Sequence, residues 1–199
     1  MDGRCNWCGE DPLYVAYHDQ EWGVPEYDSR TLWEKLILDG FQAGLAWITI
    51  LRKRDNFRSA FEGFDPNVIA HWGEAEIERL VNDAGIIRHR GKIQAAIGNA
   101  QAWQKIEQEQ GFDKFLWSYV DGKPLNNRFT RMDQVPAQTP LSQQVSKDLK
   151  KAGFKFCGPT IVYAFMQATG LINDHMISCP CHAKVTTLAR KDGVKPQFL

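Results

Sequence analysis

Four side chains with metal-binding chemistry stand at opposite ends of this chain: Cys5 and His18 near its start, His175 and Cys179 near its end. Two thiolates and two imidazoles satisfy a tetrahedral zinc ion with no position left open, so such a site would be structural and not catalytic. His175 and Cys179 are four residues apart and would share a face if that turn is helical. Cys5 and His18 lack the spacing of a zinc finger, Cys8 and Cys181 are alternative ligands, and free thiols are common inside cells, so spacing alone leaves these readings open. Cys157 is expected to pack as a small apolar residue.

A second chemical feature lies just before the last His/Cys pair. Gly153 and Gly158 bound a short turn, and Pro159 suits the first turn of a new helix, where its missing N–H costs nothing. Two helices joined this way present turn N–H groups and a helix N-terminus outward, which is a site for a phosphate. Lys147, Lys150, Lys151 and Lys155 surround the turn with Asp148 as the sole acid among them. An ordinary helical hairpin with a solvated lysine face accounts for the same residues.

The elements that would position these groups read as helical. Asp28 or Ser29 caps a helix with Leu32, Trp33, Leu36 and Ile37 on one face and a stop near Asp39–Gly40. Further helices are expected over 43–53, briefly over 56–61, after Asp65–Pro66, over 74–82, from the turn at 85–91 through Trp103, over 112–120, and from Ser142 to the hairpin. Residues 1–27 show no period and read as irregular, 121–140 as a polar surface connection, and no run alternates like a strand. The fold class is all-α.

Composition sets the bounds. A 199-residue chain with 43% hydrophobic residues can bury a substantial core. Its net charge of +0 argues against holding nucleic acid by bulk electrostatics. The charge is uneven, however: residues 1–39 carry nine acidic and three basic side chains, whereas Arg88, Arg90 and Lys92 form a run without acids and could meet phosphates. No signal-type or membrane-spanning run is present, so no membrane partner and a cytoplasmic home are expected. Five cysteines in such a chain argue against a disulfide framework.

The stretches DPLYVAYHDQEWGVP, FQAGLAWITILRKR, LVNDAGIIRHRGKIQAAIGNA and GFKFCGPTIVYAFMQATGLINDH resemble type I 3-methyladenine DNA glycosylases, of the helix-hairpin-helix superfamily. The likeness runs from about Cys5 to Cys179. It implies a single helical unit over 1–182, its N-terminal segment packed on it, with a tail at 183–199 that is either disordered or a source of nonspecific DNA affinity.

The resemblance also implies an activity: a monomeric, monofunctional enzyme that flips 3-methyladenine out of alkylated double-stranded DNA and hydrolyses its N-glycosidic bond, releasing the free base. Structural zinc falls on Cys5, His18, His175 and Cys179. Trp7, Tyr14, Tyr17, Trp22 and Trp47 become the stacking surfaces for the extruded base, favouring its positive charge. Asp39 takes the position where the family has a base-contacting Glu, one methylene longer. Leu45 becomes the candidate wedge in the duplex, with core packing the alternative, and Gly153, Lys151, Lys155 and Gly158 the backbone contacts. The superfamily's catalytic Asp would fall at Asn173, so Asp174 is read as a cap or a partner of His175. The shortened carboxylate keeps one alternative alive: a protein of the same fold that binds damaged DNA without cleaving it.

Overall fold

The computed structural model describes residues 3–188. Its first helix, α1 (Pro12–Gln20), lies inside the segment expected to be irregular. Asp11 caps it by accepting from the N–H groups of Leu13 and Tyr14, with Pro12 at the first position. The periodicity is missing because α1 buries Tyr17 and His18 against a pocket and a polar cluster, not an apolar stripe against the core.

The central element is α2 (Ser29–Gln42), capped by Asp28. From Leu36 to Phe41 every side is buried, as befits a helix surrounded by others, and it runs two residues past the expected stop at Gly40. A break at 43–46 precedes α3 (Trp47–Ala60). Gly44 takes φ +84° there, so the helix expected from Ala43 starts four residues later and absorbs the short one expected at 56–61.

Short helices α4 (Pro66–Ile69) and α5 (Glu74–Val81) lead to the longest, α6 (Arg90–Glu109). The His89 side chain caps α6 by accepting from Lys92 N–H. Then come α7 (Phe112–Trp117), α8 (Pro140–Lys151), α9 (Pro159–Ala168) and α10 (Pro180–Leu188). Aromatic side chains dominate the core, with Trp33, Phe41, Phe57, Phe61, Phe64, Phe112 and Phe165 fully enclosed between α2 and its neighbours.

Two expectations are corrected here. A two-residue strand, β1 (Leu125–Asn126), pairs in parallel with β2 (Ile172–Asn173); elements this short carry no alternation to read. The tail was expected to begin at residue 183, yet 183–188 continue α10, where Val185 is buried and the Lys184 amine donates to the Asp19 carbonyl at 2.9 Å. The rest of the expected tail, with Arg190, Lys191 and Lys195, lies outside the described residues.

The irregular segment between α1 and α2 is threaded under the end of α9. Gly170 has φ +71°, and a Cβ there would stand 2.5 Å from Pro25 N. Only glycine lets the two backbones pass.

Candidate active site and metal centre

All five aromatic candidates and Asp39 line one cavity of about 260 Å³. Trp7, Tyr14, Tyr17 and Trp22 come from the N-terminal segment, Asp39 from the last turn of α2, and Trp47 from the first turn of α3. Trp7 is the hub, its ring centroid 5.1 Å from Tyr14, 6.3 Å from Tyr17 and 5.0 Å from Trp22, all edge to face. Trp47 closes on Tyr17 at 5.6 Å. The opposite wall, unforeseen from sequence, brings Ala164, Gln167 and Ala168 from α9, Met132 and Val135 from the connection before α8, and Asp174.

The polar chemistry of this cavity is sparse and unbalanced. Asp39 is 3% exposed, and its Oδ2 has no hydrogen-bond partner. Burial pushes its pKa up to about 7, opposed in part by the Lys35 amine one turn earlier in α2. The indole N–H groups of Trp7 and Trp47 are also buried without partners. Three of the four such side-chain atoms among the described residues therefore belong to residues of this one cavity, where a bound molecule could satisfy them.

Asp174 is the other carboxylate in the wall and its situation is the reverse. Its Oδ2 accepts from the Tyr163 hydroxyl at 2.5 Å and from Gln167 Nε2 at 2.7 Å, and its Oδ1 from Asn127 Nδ2 at 2.7 Å. Asp174 thus braces the wall. It is not the partner of His175 that the sequence suggested; Asn173 Oδ1 accepts from the His175 N–H instead. No lysine lines the cavity among the described residues.

Behind the aromatic wall, Cys5, His18, His175 and Cys179 converge, all buried, their ligand atoms within 4.8 Å of one another. Cys5 Sγ lies 3.7 Å from His175 Nδ1, and Cys179 Sγ lies 3.8 Å from both His175 Nδ1 and His18 Nε2. Sulfur and nitrogen bound to one tetrahedral zinc stand about 3.6 Å apart. The outward ring nitrogens are already committed: His18 Nδ1 donates to Asp19 at 2.7 Å, and His175 Nε2 to the Trp22 carbonyl at 3.0 Å. In the neutral rings this leaves the inward nitrogens with free lone pairs, the arrangement of imidazoles that hold a metal. The residues fit a metal ion.

Cluster and cavity share a wall. Trp22 packs on His175 at 4.6 Å and Trp7 on His18 at 5.3 Å, both edge to face. Asp19, from α1, also pairs with Arg4 at 2.9 Å.

The turn between α8 and α9 and the break at 43–46 lie outside the cavity. Between α8 and α9, Gly153 has φ +107°, while Gly158 has ordinary angles and open space where a Cβ would point. Lys147, Lys150, Lys151 and Lys155 are exposed. Phe156, unremarked in the sequence, has φ +54° and is 39% exposed. In the other turn Leu45 is also 39% exposed, which removes the core reading.

The basic run before α6 is corrected. Arg90 is paired with Glu74 and Glu78 on α5. Lys92 is buried and donates from Nζ to the carbonyls of Phe41 at 2.8 Å and Ala43 at 2.7 Å, so it cannot reach a phosphate. Arg88 alone of the three stays exposed without such a role.

Several solved structures similar to this chain are of 3-methyladenine DNA glycosylase I. A crystal structure of 3-methyladenine DNA glycosylase I superposes with a TM-score of 0.88 at 56% identity, covering 90% of this chain and 99% of that one. A structure of the Staphylococcus aureus enzyme, solved for the basis of 3-methyladenine recognition, gives 0.87 at 41% identity over 90% and 96%. The DNA-3-methyladenine glycosylase 1 of Escherichia coli K12 is 55% identical over 180 residues, 90% of this chain and 96% of its own length. The methyladenine glycosylase family model matches residues 7–182, and the chain belongs to that family.

Proposed function

We propose that this protein is a base-excision repair enzyme that hydrolyses the N-glycosidic bond of 3-methyladenine in alkylated double-stranded DNA. One observation carries the reading: a buried carboxylate, Asp39, with an unpartnered oxygen inside a cage of five aromatic side chains. Relatives named for this activity support it.

The chemistry follows from the charge of the substrate. An N3-methylated adenine in DNA is cationic, and a base turned out of the duplex can stack on Trp7, Tyr14, Tyr17, Trp22 and Trp47, whose ring faces favour a cation. Asp39, close to half-protonated at neutral pH in the empty cavity, ionises beside the cation and accepts from its amino edge. The cage thereby binds the charged base over neutral adenine.

The positive charge already makes the base a good leaving group. As the bond from the sugar C1′ to the base nitrogen breaks, its electron pair passes into the ring and neutralises the cation. Water adds to C1′ and loses a proton, leaving an abasic site and free 3-methyladenine. Among the described residues no lysine lines the wall, so the cavity they form offers no amine for the Schiff base of a lyase.

The helix-hairpin-helix formed by α8, its turn and α9 would take the DNA backbone, with Gly153 and Gly158 letting phosphates approach and Lys151 and Lys155 supplying charge. Leu45 would fill the space left by the flipped base. Cys5, His18, His175 and Cys179 would hold zinc, which supplies a cross-link and no reactive position. Cavity and both turns lie on one chain, so a monomer suffices, and five free cysteines suit the cytoplasm.

The test is release of free 3-methyladenine from methylated duplex by the purified protein, with Asp39→Glu and Asp39→Asn beside it. We expect release by the wild type and a loss of at least tenfold in Asp39→Asn. Binding of methylated duplex without any release would instead leave a damage-binding protein.

A further inference from the structure

We infer that Lys92 and Asn99 of α6 are positioning residues that hold the Leu45 turn and the α8–α9 hairpin in fixed register with each other. Both are buried, at 7% and 4% exposure, and they are seven residues apart, two helical turns on one face and about 10 Å along the axis. Each reaches a different turn. Lys92 Nζ donates to the carbonyls of Phe41 and Ala43, where α2 ends and the Leu45 turn begins. Asn99 donates from Nδ2 to the Lys155 carbonyl at 3.1 Å and accepts from the Lys155 N–H at 2.8 Å through Oδ1.

The two clamped segments also touch. A Cβ on Gly40 would stand 3.3 Å from the Phe156 carbonyl, so the end of α2 lies directly on the hairpin backbone. Three consecutive residues therefore face three sites: Asp39 the cavity, Gly40 the hairpin, and Phe41, through its carbonyl, Lys92. A buried amine is a costly way to cap a helix that water could solvate. Its return here is geometric, because a charged donor shared by two carbonyls fixes the direction in which residues 43–46 leave α2.

The inference rests on the reading that both turns grip duplex DNA. Extrusion then requires the wedge and the backbone grip to act on the same nucleotide, so a loose Leu45 turn should cost the flipping step and spare the cavity.

The experiment uses Lys92→Met, which keeps the stem and removes the donors, alone and combined with Leu45→Ala. Turnover on methylated duplex is measured beside binding of free 3-methyladenine by tryptophan fluorescence. We expect Lys92→Met to lower kcat at least tenfold, to keep free-base affinity within about twofold of wild type, and to add little to Leu45→Ala. Asn99→Ala should instead raise KM for duplex several-fold with kcat nearly kept. If Lys92→Met does not fold, Lys92→Gln, which retains one N–H donor group, carries the same comparison. Full multiplication of the Lys92→Met and Leu45→Ala losses, an equal fall in free-base affinity, or wild-type turnover in a folded Lys92 variant would overturn the inference. A wild type that releases no base would sink the parent reading, whereas release by the wild type beside a fully active Lys92→Met would sink this one alone.

Discussion

Lys35 and Asp39 stand one turn apart in α2, and Lys35 is the cation that opposes the burial of Asp39. The amine is held away from full pairing, 4.0 Å from Glu21 and 5.3 Å from the centre of the Tyr17 ring. Asp39 keeps a pKa raised from 3.8 to about 7. A carboxyl whose folded pKa is raised stabilises the fold fully below its unfolded pKa and loses that contribution as pH rises through the folded value. Stability should therefore fall between about pH 4 and pH 7 by an amount on the order of 4 kcal/mol from this group. Asp39→Asn should flatten that part of the curve, as denaturant titrations at pH 4.5 and pH 8 would show, and an unchanged slope would refute the assignment.

The same raised pKa predicts a proton count on binding. If the neutral free 3-methyladenine binds as its cation beside ionised Asp39, the complex holds one proton where only part of the free protein carried one on Asp39, so binding near pH 7 must take up protons. Calorimetric heats should then depend on the ionisation enthalpy of the buffer, and the dependence should vanish in Asp39→Asn.

Removing an imidazole from the Cys/His cluster should cost fold and pocket together. His175→Ala is expected to copurify with less than a tenth of an equivalent of zinc and to melt well below the wild type, since metal binding free energy is folding free energy. Because Trp22 packs on His175, tryptophan fluorescence should shift as well. A variant that folds normally with a full equivalent of metal would exclude the four-residue site.

Lys155 stands exposed on a turn whose backbone Asn99 fixes. Lys155→Glu should weaken duplex binding regardless of sequence and lower the slope of log K against log salt by about one. Unchanged affinity at low salt would take the hairpin out of the interface.

Phe156 holds a left-handed backbone that an aromatic residue adopts only at a cost of about 1–3 kcal/mol. Phe156→Gly should relieve that strain and melt no lower than the wild type, while losing duplex affinity if the exposed ring lies against DNA. Denaturation and duplex titration of the one variant separate the two effects.

Much of the frame is legible from periodicity and caps. Asp28, Asp65 and Pro159 mark helix starts where the structure has them, and α5, α6 and α7 follow their apolar spacing. The failures share a cause. Helix α1 was invisible because its buried side is aromatic and polar, facing a cavity and a cluster, and periodicity reports only apolar stripes. Lys92 looked like a surface cation because a sequence shows charge and not the carbonyls that meet it, and Asn99 gave no signal at all. The cavity residues became readable through family likeness and not through spacing, since Trp7, Asp39 and Trp47 come from three separate segments. Asp174 was misplaced for the same reason: its partners lie on two distant segments, Tyr163 and Gln167 on α9 and Asn127 just after β1.

Cys5 meets His175 across 170 residues of chain. The first segment of the polypeptide carries four of the five cage aromatics, yet the groups that fasten it, His175 and Cys179, follow almost everything else. During synthesis the opening segment can already pair with α3, Asp11 with Arg52 and Glu21 with Arg54, but the Cys/His cluster behind its aromatic wall closes only after α2 to α9 have been made. Binding competence should then switch on as a single late event when the ribosome releases the C-terminal turn. A nascent chain stalled before residue 175 would hold a nearly finished helical frame and no place for a base.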